Sequence, residues 1–282
     1  MAIVSDLASV AFGLSSAATW GVGDFSGGLA TRRTPVRTVV IISQIAGLGA
    51  LILLALLRAE AAPLPADIFW GAAAGIVGQI GLVALYRAMA IGQMGIAAPV
   101  TAVLSATLPA LFGIITQGAP GVPHVAGFAL ALVGVWLLSR PEGALGRPAG
   151  FGLALIGGCG FGGFLILIAQ VHADAIFWPL AVARVASLVV LIGFALRTRR
   201  FDRPTREALP LIALAGLMDA GGNAFFVFAE QAGRLDVAGV LASLYPATTV
   251  LLAVMILKEK LTRTRLFGVL LVLVAVPMIA AK

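Results

Sequence analysis

The sequence is poor in the residues from which most enzyme and metal sites are built. It contains one cysteine, Cys159, so neither an internal disulfide nor a cysteine-rich metal site is possible. Its two histidines, His124 and His172, fall in predicted loops, and no nucleophile elbow, zinc motif or phosphate-binding loop is present. Charged residues make up only 11% of the chain. We therefore predict no cofactor, no metal and no enzymatic activity.

Apolar sequence runs almost from end to end instead. Hydrophobic residues form 61% of the 282 residues, and the mean hydropathy is +1.08. A soluble domain of this size could not bury so much apolar surface, so the surrounding solvent must be largely lipid. We predict an all-α integral membrane protein whose ten helices each cross roughly 30 Å of hydrocarbon. The predicted spans are 7–30, 36–57, 67–91, 95–116, 122–139, 149–171, 176–196, 208–232, 237–257 and 264–281.

Of the nineteen lysines and arginines, Arg87 and Arg184 lie inside spans, and the others are unevenly distributed around the ends of the spans. Most of them follow odd-numbered spans, as in TRRTPVR after the first and RTRRFDRPTRE after the seventh. By the positive-inside rule those loops are cytoplasmic, so both termini face outward. We expect a multi-pass protein of a bacterial-type cytoplasmic (inner) membrane. The net charge of +7 then reflects topology and does not indicate a nucleic-acid partner.

The two halves of the chain are weakly similar to each other. The tripeptide FGL occurs at 12–14 and again at 151–153, and Gly75 and Gly81 match Gly216 and Gly222 at a slightly larger offset. A unit of five spans crosses the membrane an odd number of times, so a second copy begins on the opposite side and is inverted relative to the first. We predict two inverted five-helix repeats, residues 1–146 and 147–282, an architecture common in secondary transporters. A duplication kept for packing alone is the alternative.

The segment SLYPATTVLLAVMILKEKLTRTRLFGVLLVLVAV, which begins at Ser243, resembles the EamA family of the drug/metabolite transporter (DMT) superfamily. The resemblance rests on a proline-initiated helix, a Leu-x-Glu-x-Leu turn and a final helix with a glycine, matched by Pro246, Leu257, Glu259, Leu261 and Gly268. The first half has TQGAP at 116–120 in place of that turn. Membership implies a carrier of small metabolites, and the narrower likeness is to bacterial exporters of aromatic and other amino acids.

Charged and polar residues inside the spans are candidates for function, because each costs a few kcal/mol at bilayer depth unless it is paired or faces water. Asp219 and Asn223 lie one helical turn apart on one face of the eighth span. Arg184, in the seventh span, lies at an overlapping depth. Arg184 either forms a structural ion pair with Asp219 or binds a substrate carboxylate while Asp219 binds an ammonium group.

Five further residues are candidates for lining the pathway. Trp20 lies near the middle of the first span, where its indole either stacks on a substrate or packs against lipid or a neighbouring helix. Tyr245 precedes Pro246, and because proline has no N–H, a nearby backbone carbonyl is left without its helical hydrogen bond. The uncharged side chains of Gln44, Gln79 and Thr101 either line the pathway or form hydrogen bonds between helices.

Other classes of protein fit less well. GVGD at 21–24 matches a signature of intramembrane aspartyl proteases, which need two carboxylates sharing a proton, but the order of the two aspartates is reversed. A channel is disfavoured because no span carries the repeated polar residues of a pore. We predict a secondary transporter that exports small metabolites, above all amino acids, by alternating access. A carrier of drugs or other metabolites with the same fold is the alternative.

The predicted partners are a small-molecule substrate and the lipid bilayer. No obligate protein partner is evident. Proton coupling is open, with Asp24, Asp219 and Glu230 as candidate carriers.

Overall fold

The computed structural model describes residues 2–91, 94–139, 150–198, 203–258 and 262–280. Within these ranges the chain is helical throughout, with short connections and no strand, which confirms the predicted all-α class. The helices are α1 (Ala2–Thr31), α2 (Val36–Leu57), α3 (Pro65–Ile91), α4 (Met94–Gln117), α5 (Val122–Ser139), α6 (Phe151–Ile168), α7 (Phe177–Thr198), α8 (Leu209–Ala232), α9 (Leu235–Ala242), α10 (Tyr245–Leu257) and α11 (Arg263–Ala280).

The predicted ninth span is two helices, α9 and α10, and not one. The break follows from Pro246, which has no N–H to donate to the carbonyl four residues earlier. A tighter turn replaces the helical pattern there, since the amide of Leu244 bonds the carbonyl of Leu241 at 3.1 Å. The hydroxyl of Ser243 turns back onto the carbonyl of Val240 at 2.6 Å. The break leaves Tyr245 at the start of α10 in the interior of the bundle.

Seven segments of the described chain are long and apolar enough to cross a membrane. They are Val36–Leu57, Pro65–Leu85, Val100–Gln117, Phe151–Ile168, Phe177–Phe194, Leu209–Ala232 and Leu235–Leu257, and Val122–Leu138 is a shorter apolar helix. Large apolar side chains such as Leu57, Ile115 and Val189 are exposed on the outside of the bundle. Such a surface is stable in contact with lipid, and the protein is a multi-pass membrane protein.

Glycines let pairs of helices approach closely. A Cβ atom on Gly75 of α3 would lie 2.1 Å from the backbone oxygen of Ala183 in α7, and one on Gly216 of α8 would lie 2.1 Å from that of Ser43 in α2. Gly81 packs in the same way against α6, and Gly222 against α1. The four glycines that match between the two halves of the sequence therefore all lie at helix contacts.

The helices pack in a recurring pattern. The pair α1 and α8 and the pair α3 and α6 both pack closely, as do α2 with α8 and α3 with α7. Helix α4 packs on α6, while α1 packs on α9 and α10. Helices α5 and α11 pack against each other at the periphery.

The loops at one end of the bundle are tied together by carboxylates. We call the end formed by segments 58–64, 118–121, 169–176 and 233–234 the even-loop end, and the end formed by 32–35 and 203–208 the odd-loop end. At the even-loop end, Glu60 accepts hydrogen bonds from the backbone amides of Ile176, Phe177 and Trp178 at 2.9, 3.0 and 3.2 Å. Its carboxylate thereby caps the N-terminus of α7, where the helix dipole favours negative charge.

Two more carboxylates are buried at the even-loop end. Asp67 is only 1% exposed. Its Oδ1 accepts a hydrogen bond from the backbone amide of His172 and lies 3.1 Å from Nδ1 of the same residue. Asp236 is fully buried and pairs with Arg234, whose guanidinium also donates to the carbonyl of Gly118 at 2.5 Å. The side-chain hydrogen bond to Asp236 raises the pKa of Arg234 above its ordinary value. The pair thus joins the α4–α5 loop to the start of α9.

Candidate functional site

Arg184 of α7 is the centre of a polar cluster between three helices. Its side chain is buried, with the residue only 8% exposed, and its guanidinium donates to Oε1 of Gln44 in α2 and to Oδ2 of Asp219 in α8. A guanidinium inside the bilayer is stable only with such partners. The structure therefore brings together three of the predicted site residues from three different helices.

Asp219 and Asn223 have different environments although they share one face of α8. The Asn223 amide is buried and donates back to the carbonyl of Asp219 at 2.9 Å. The side chain of Asp219 stays 46% exposed while one of its oxygens accepts from Arg184. Asp219 is thus paired and still accessible to a ligand, whereas the Asn223 amide is engaged within its own helix.

Trp20 of α1 lies beside this cluster. Its indole packs on Gly222, where a Cβ atom would lie 2.3 Å from the indole Cδ1. The ring stacks on Phe226 with centroids 6.3 Å apart, and Tyr245 meets it edge-on at 6.4 Å. Helices α1, α8 and α10 thereby form an aromatic wall, which meets α8 at Gly222, about one turn from Asp219.

Asp24 follows Trp20 by one turn of α1. Its side chain is exposed and lies between the face of α1 that packs on α8 and the face that packs on α10. The neighbouring Gly23 packs on α8, so that a Cβ atom there would lie 3.3 Å from the backbone nitrogen of Asp219. The Asp24 carboxylate is within electrostatic reach of Asp219 and of Tyr245. Sequence reasoning named Asp24 only as a candidate proton carrier, although its place one turn from Trp20 was a usable signal.

Gln79 and Thr101 lie elsewhere. The hydroxyl of Thr101 donates to the carbonyl of Ala154 at 3.0 Å and so links α4 to α6. Gln79 of α3 is 2% exposed, and its Nε2 has no hydrogen-bond partner in the part of the chain that the structure describes. No hydrogen bond among the described residues links either side chain to Arg184 or Asp219.

A second aromatic group lies toward the even-loop end. Phe228 of α8 stacks on Phe12 with centroids 5.2 Å apart and meets Phe177 edge-on at 6.2 Å. The guanidinium carbon of Arg58 lies 5.5 Å from the Phe228 centroid, within cation–π range. This group, which we call the Phe228 plug, was not foreseen from the sequence because the three rings come from different helices.

Comparison with known proteins now adds to this geometry. Residues 148–281 match the model of the EamA-like transporter family. The similarity to this family therefore covers residues 148–281 of the chain. The recognised resemblance to that family is confirmed, although Glu259 and Leu261 of the Leu-x-Glu-x-Leu turn lie outside the described residues. Members of this family are membrane transporters of the DMT type and not enzymes, so the protease reading is not favoured.

A likeness of fold extends over almost the whole chain. One solved crystal structure superposes with a TM-score of 0.77 over 96% of this chain and 97% of that chain. The two sequences are 18% identical, so the likeness establishes a shared fold alone. No curated protein matches the sequence significantly.

Proposed function

We propose that this protein is an EamA-like secondary carrier that exports small metabolites from the cytoplasm by alternating access. Its preferred cargo in this proposal is amino acids with aromatic or other apolar side chains. The observation that carries the proposal is that α8 bears both a charged cluster, at Asp219, and an aromatic wall, which packs on Gly222 three residues further along. Arg184 and Asp219 offer partners for polar groups, while Trp20 and Tyr245 offer surfaces on which an apolar side chain stacks.

Alternating access needs two halves that rearrange about a central site, and the proposal includes two inverted repeats. The packing pattern supports it. When α1 to α5 are matched in order with α6, α7, α8, α9–α10 and α11, the contact of α1 with α8 corresponds to that of α6 with α3. By the same matching, α2 with α8 corresponds to α7 with α3, and α4 with α6 corresponds to α9–α10 with α1. The matched glycines Gly75 and Gly216 lie in corresponding contacts.

The proposed direction of access follows from exposure and charge. Asp24 is exposed, and the side chain of Asp219 is 46% exposed. In this proposal the Phe228 plug and the capped N-terminus of α7 close the even-loop end. The odd-numbered loops carry most of the basic residues and are proposed to be cytoplasmic, with both termini outside. In this proposal the site is open to the cytoplasm, as an exporter requires before loading its cargo.

The remaining candidates have defined places in the proposal. Gln44 holds Arg184 in position, and Asn223 supports the backbone of Asp219. Gln79 and Thr101 stay predictions as pathway residues in the first half. Proton coupling through Asp24, Asp219 or Glu230 is proposed as one possible energy source.

Uptake of radiolabelled amino acids into proteoliposomes tests the proposal. The parent protein is compared with Arg184→Gln and Asp219→Asn, and with Asp174→Asn as a control, because Asp174 lies exposed in the α6–α7 loop. We expect saturable uptake of aromatic amino acids that falls at least about tenfold in the first two variants and is unchanged in the control. Thermal unfolding in detergent verifies that each variant is folded. Failure of the parent protein to take up any amino acid would refute the proposed cargo and leave a carrier of drugs or other metabolites.

A further inference from the structure

The charges around the site do not balance. Asp24 and Asp219 are both acidic, Arg184 is paired with Asp219, and no ion pair of Asp24 is found among the described residues. The neighbouring Gln44 and Tyr245 are neutral groups. With Asp24 ionised, the cluster therefore carries one net negative charge in the interior of a membrane protein, where unpaired charge is costly.

The cation of the cluster is already engaged. Arg184 is buried and donates to both Asp219 and Gln44. A ligand carboxylate would have to displace Asp219 to reach the guanidinium, which would leave a second carboxylate without a partner. The site thus offers little to an anion.

Asp24 faces the interior and not the lipid. On a helix with 3.6 residues per turn, it projects between the face of α1 at Gly21, which packs on Thr248 of α10, and the face at Gly23, which packs on α8. Its side chain is exposed and makes no hydrogen bond or ion pair with the described residues. A carboxylate in this position is free to accept a charged donor.

The aromatic wall adjoins the same carboxylate. Trp20 lies one turn away on the same side of α1, and Tyr245 lies within electrostatic reach of Asp24. Ammonium groups are attracted both to carboxylates and to the faces of such rings. A small molecule with an aromatic ring and an amine matches this pair of features.

We infer that Asp24 is the specificity-determining residue of the site, binding the ammonium group of the cargo, and that the carrier prefers aromatic amines without a carboxylate over zwitterionic amino acids. Aromatic carboxylates rank last. This inference rests on the proposed carrier function and moves its preferred cargo from amino acids to aromatic amines. A zwitterionic amino acid still binds through its ammonium group, but its carboxylate finds no free cation.

Binding of radiolabelled tryptamine to the purified full-length protein in detergent tests this order. Tryptophan and indole-3-propionate serve as competitors, since the three compounds share one ring system and carry charges of +1, 0 and −1 at neutral pH. We expect tryptamine to bind about tenfold or more tightly than tryptophan, with no competition by indole-3-propionate. Asp24→Asn should weaken tryptamine binding by about tenfold or more and bring it close to that of tryptophan. The control Asp174→Asn should retain the order of the parent protein.

Several outcomes would overturn the inference while sparing the amino-acid carrier. Equal affinities for the three compounds would mean that the charge of Asp24 is neutralised by a proton and not by the ammonium group of the cargo. Tightest binding by indole-3-propionate would mean that Arg184 is available to anions. Unchanged tryptamine binding in a folded Asp24→Asn protein would remove Asp24 from the site. If no indole compound binds and no amino acid is taken up by proteoliposomes, the inference and the proposed cargo both fail.

Discussion

The two ends of the helix bundle differ in how their loops are held together. At the even-loop end, the loops are held by three carboxylates that are buried or partly buried, those of Glu60, Asp67 and Asp236. At the odd-loop end, the pair of Arg33 and Glu207 is 2.6 Å apart, yet the two side chains are 63% and 77% exposed. Exposed pairs contribute about 0–1 kcal/mol, whereas leaving a buried polar group unpaired costs about 1–3 kcal/mol.

In the proposed transport cycle, this difference assigns the even-loop end as the closed end of the described structure. The aromatic rings of the Phe228 plug lie toward the tied end, while Asp24 and Asp219 remain accessible. A carrier that alternates must break the ties of its closed end in each cycle, so those ties set the balance between the two open states. The following changes test the comparison in order of expected effect.

Replacing the fully buried Asp236 should have the largest effect. Asp236→Asn removes the charge that pairs with Arg234, and we expect a loss of about 2–4 kcal/mol in the free energy of unfolding. Denaturation in mixed micelles followed by circular dichroism measures it. Glu207→Gln at the odd-loop end is the matched control, and a comparable loss in that control would contradict the comparison.

Replacing Glu60 should change access more than stability. Glu60→Gln keeps the shape of the side chain but weakens the cap on α7, which we expect to favour the opposite state by about 1–2 kcal/mol, or roughly tenfold. The readout is the rate at which a single cysteine at position 12, in a Cys159→Ala background, reacts with an impermeant maleimide added at the even-loop side. A labelling rate unaffected by Glu60→Gln would show that the cap does not hold this end shut.

The exposed pair at the odd-loop end should matter least. We expect Arg33→Gln to change the free energy of unfolding by less than about 0.5 kcal/mol and to leave transport rates within about twofold, because water screens the pair. Unfolding in mixed micelles and initial rates of uptake check both values. A large loss of transport would mean that this pair holds a state of the cycle that its exposure does not reveal.

Some of these features could be predicted from the sequence because membrane burial makes them conspicuous. Arg184 and Asp219 stood out as rare charges inside apolar spans at overlapping depths, and the structure joins them. The contact of Trp20 with Tyr245 could not be derived, because it depends on the rotation of α1 about its axis and on the space left by Gly222. Pro246 marked an irregularity, but two separate helices follow only from the turn at Ser243.

The contacts at the even-loop end could not be predicted from the sequence, for a different reason. Glu60 lies in a loop after α2 and caps a helix more than a hundred residues away in the sequence. Its neighbours in the sequence, EAAPLPAD, give no sign of that partner. Such long-range contacts are set by the packing of α2 on α7, which no local pattern encodes.

The central claim is that a central site opens first to the odd-loop side and then to the other. Gly28 tests it, because it lies one turn beyond Asp24 on α1 and a Cβ atom there meets nothing within 4 Å. A single cysteine at this position, in a Cys159→Ala background, is labelled by an impermeant maleimide from either side of the membrane, with and without saturating cargo. The account predicts labelling from the cytoplasmic side alone in the absence of cargo, and protection when cargo is bound. Equal labelling from both sides at once, or no protection by any transported compound, would contradict it.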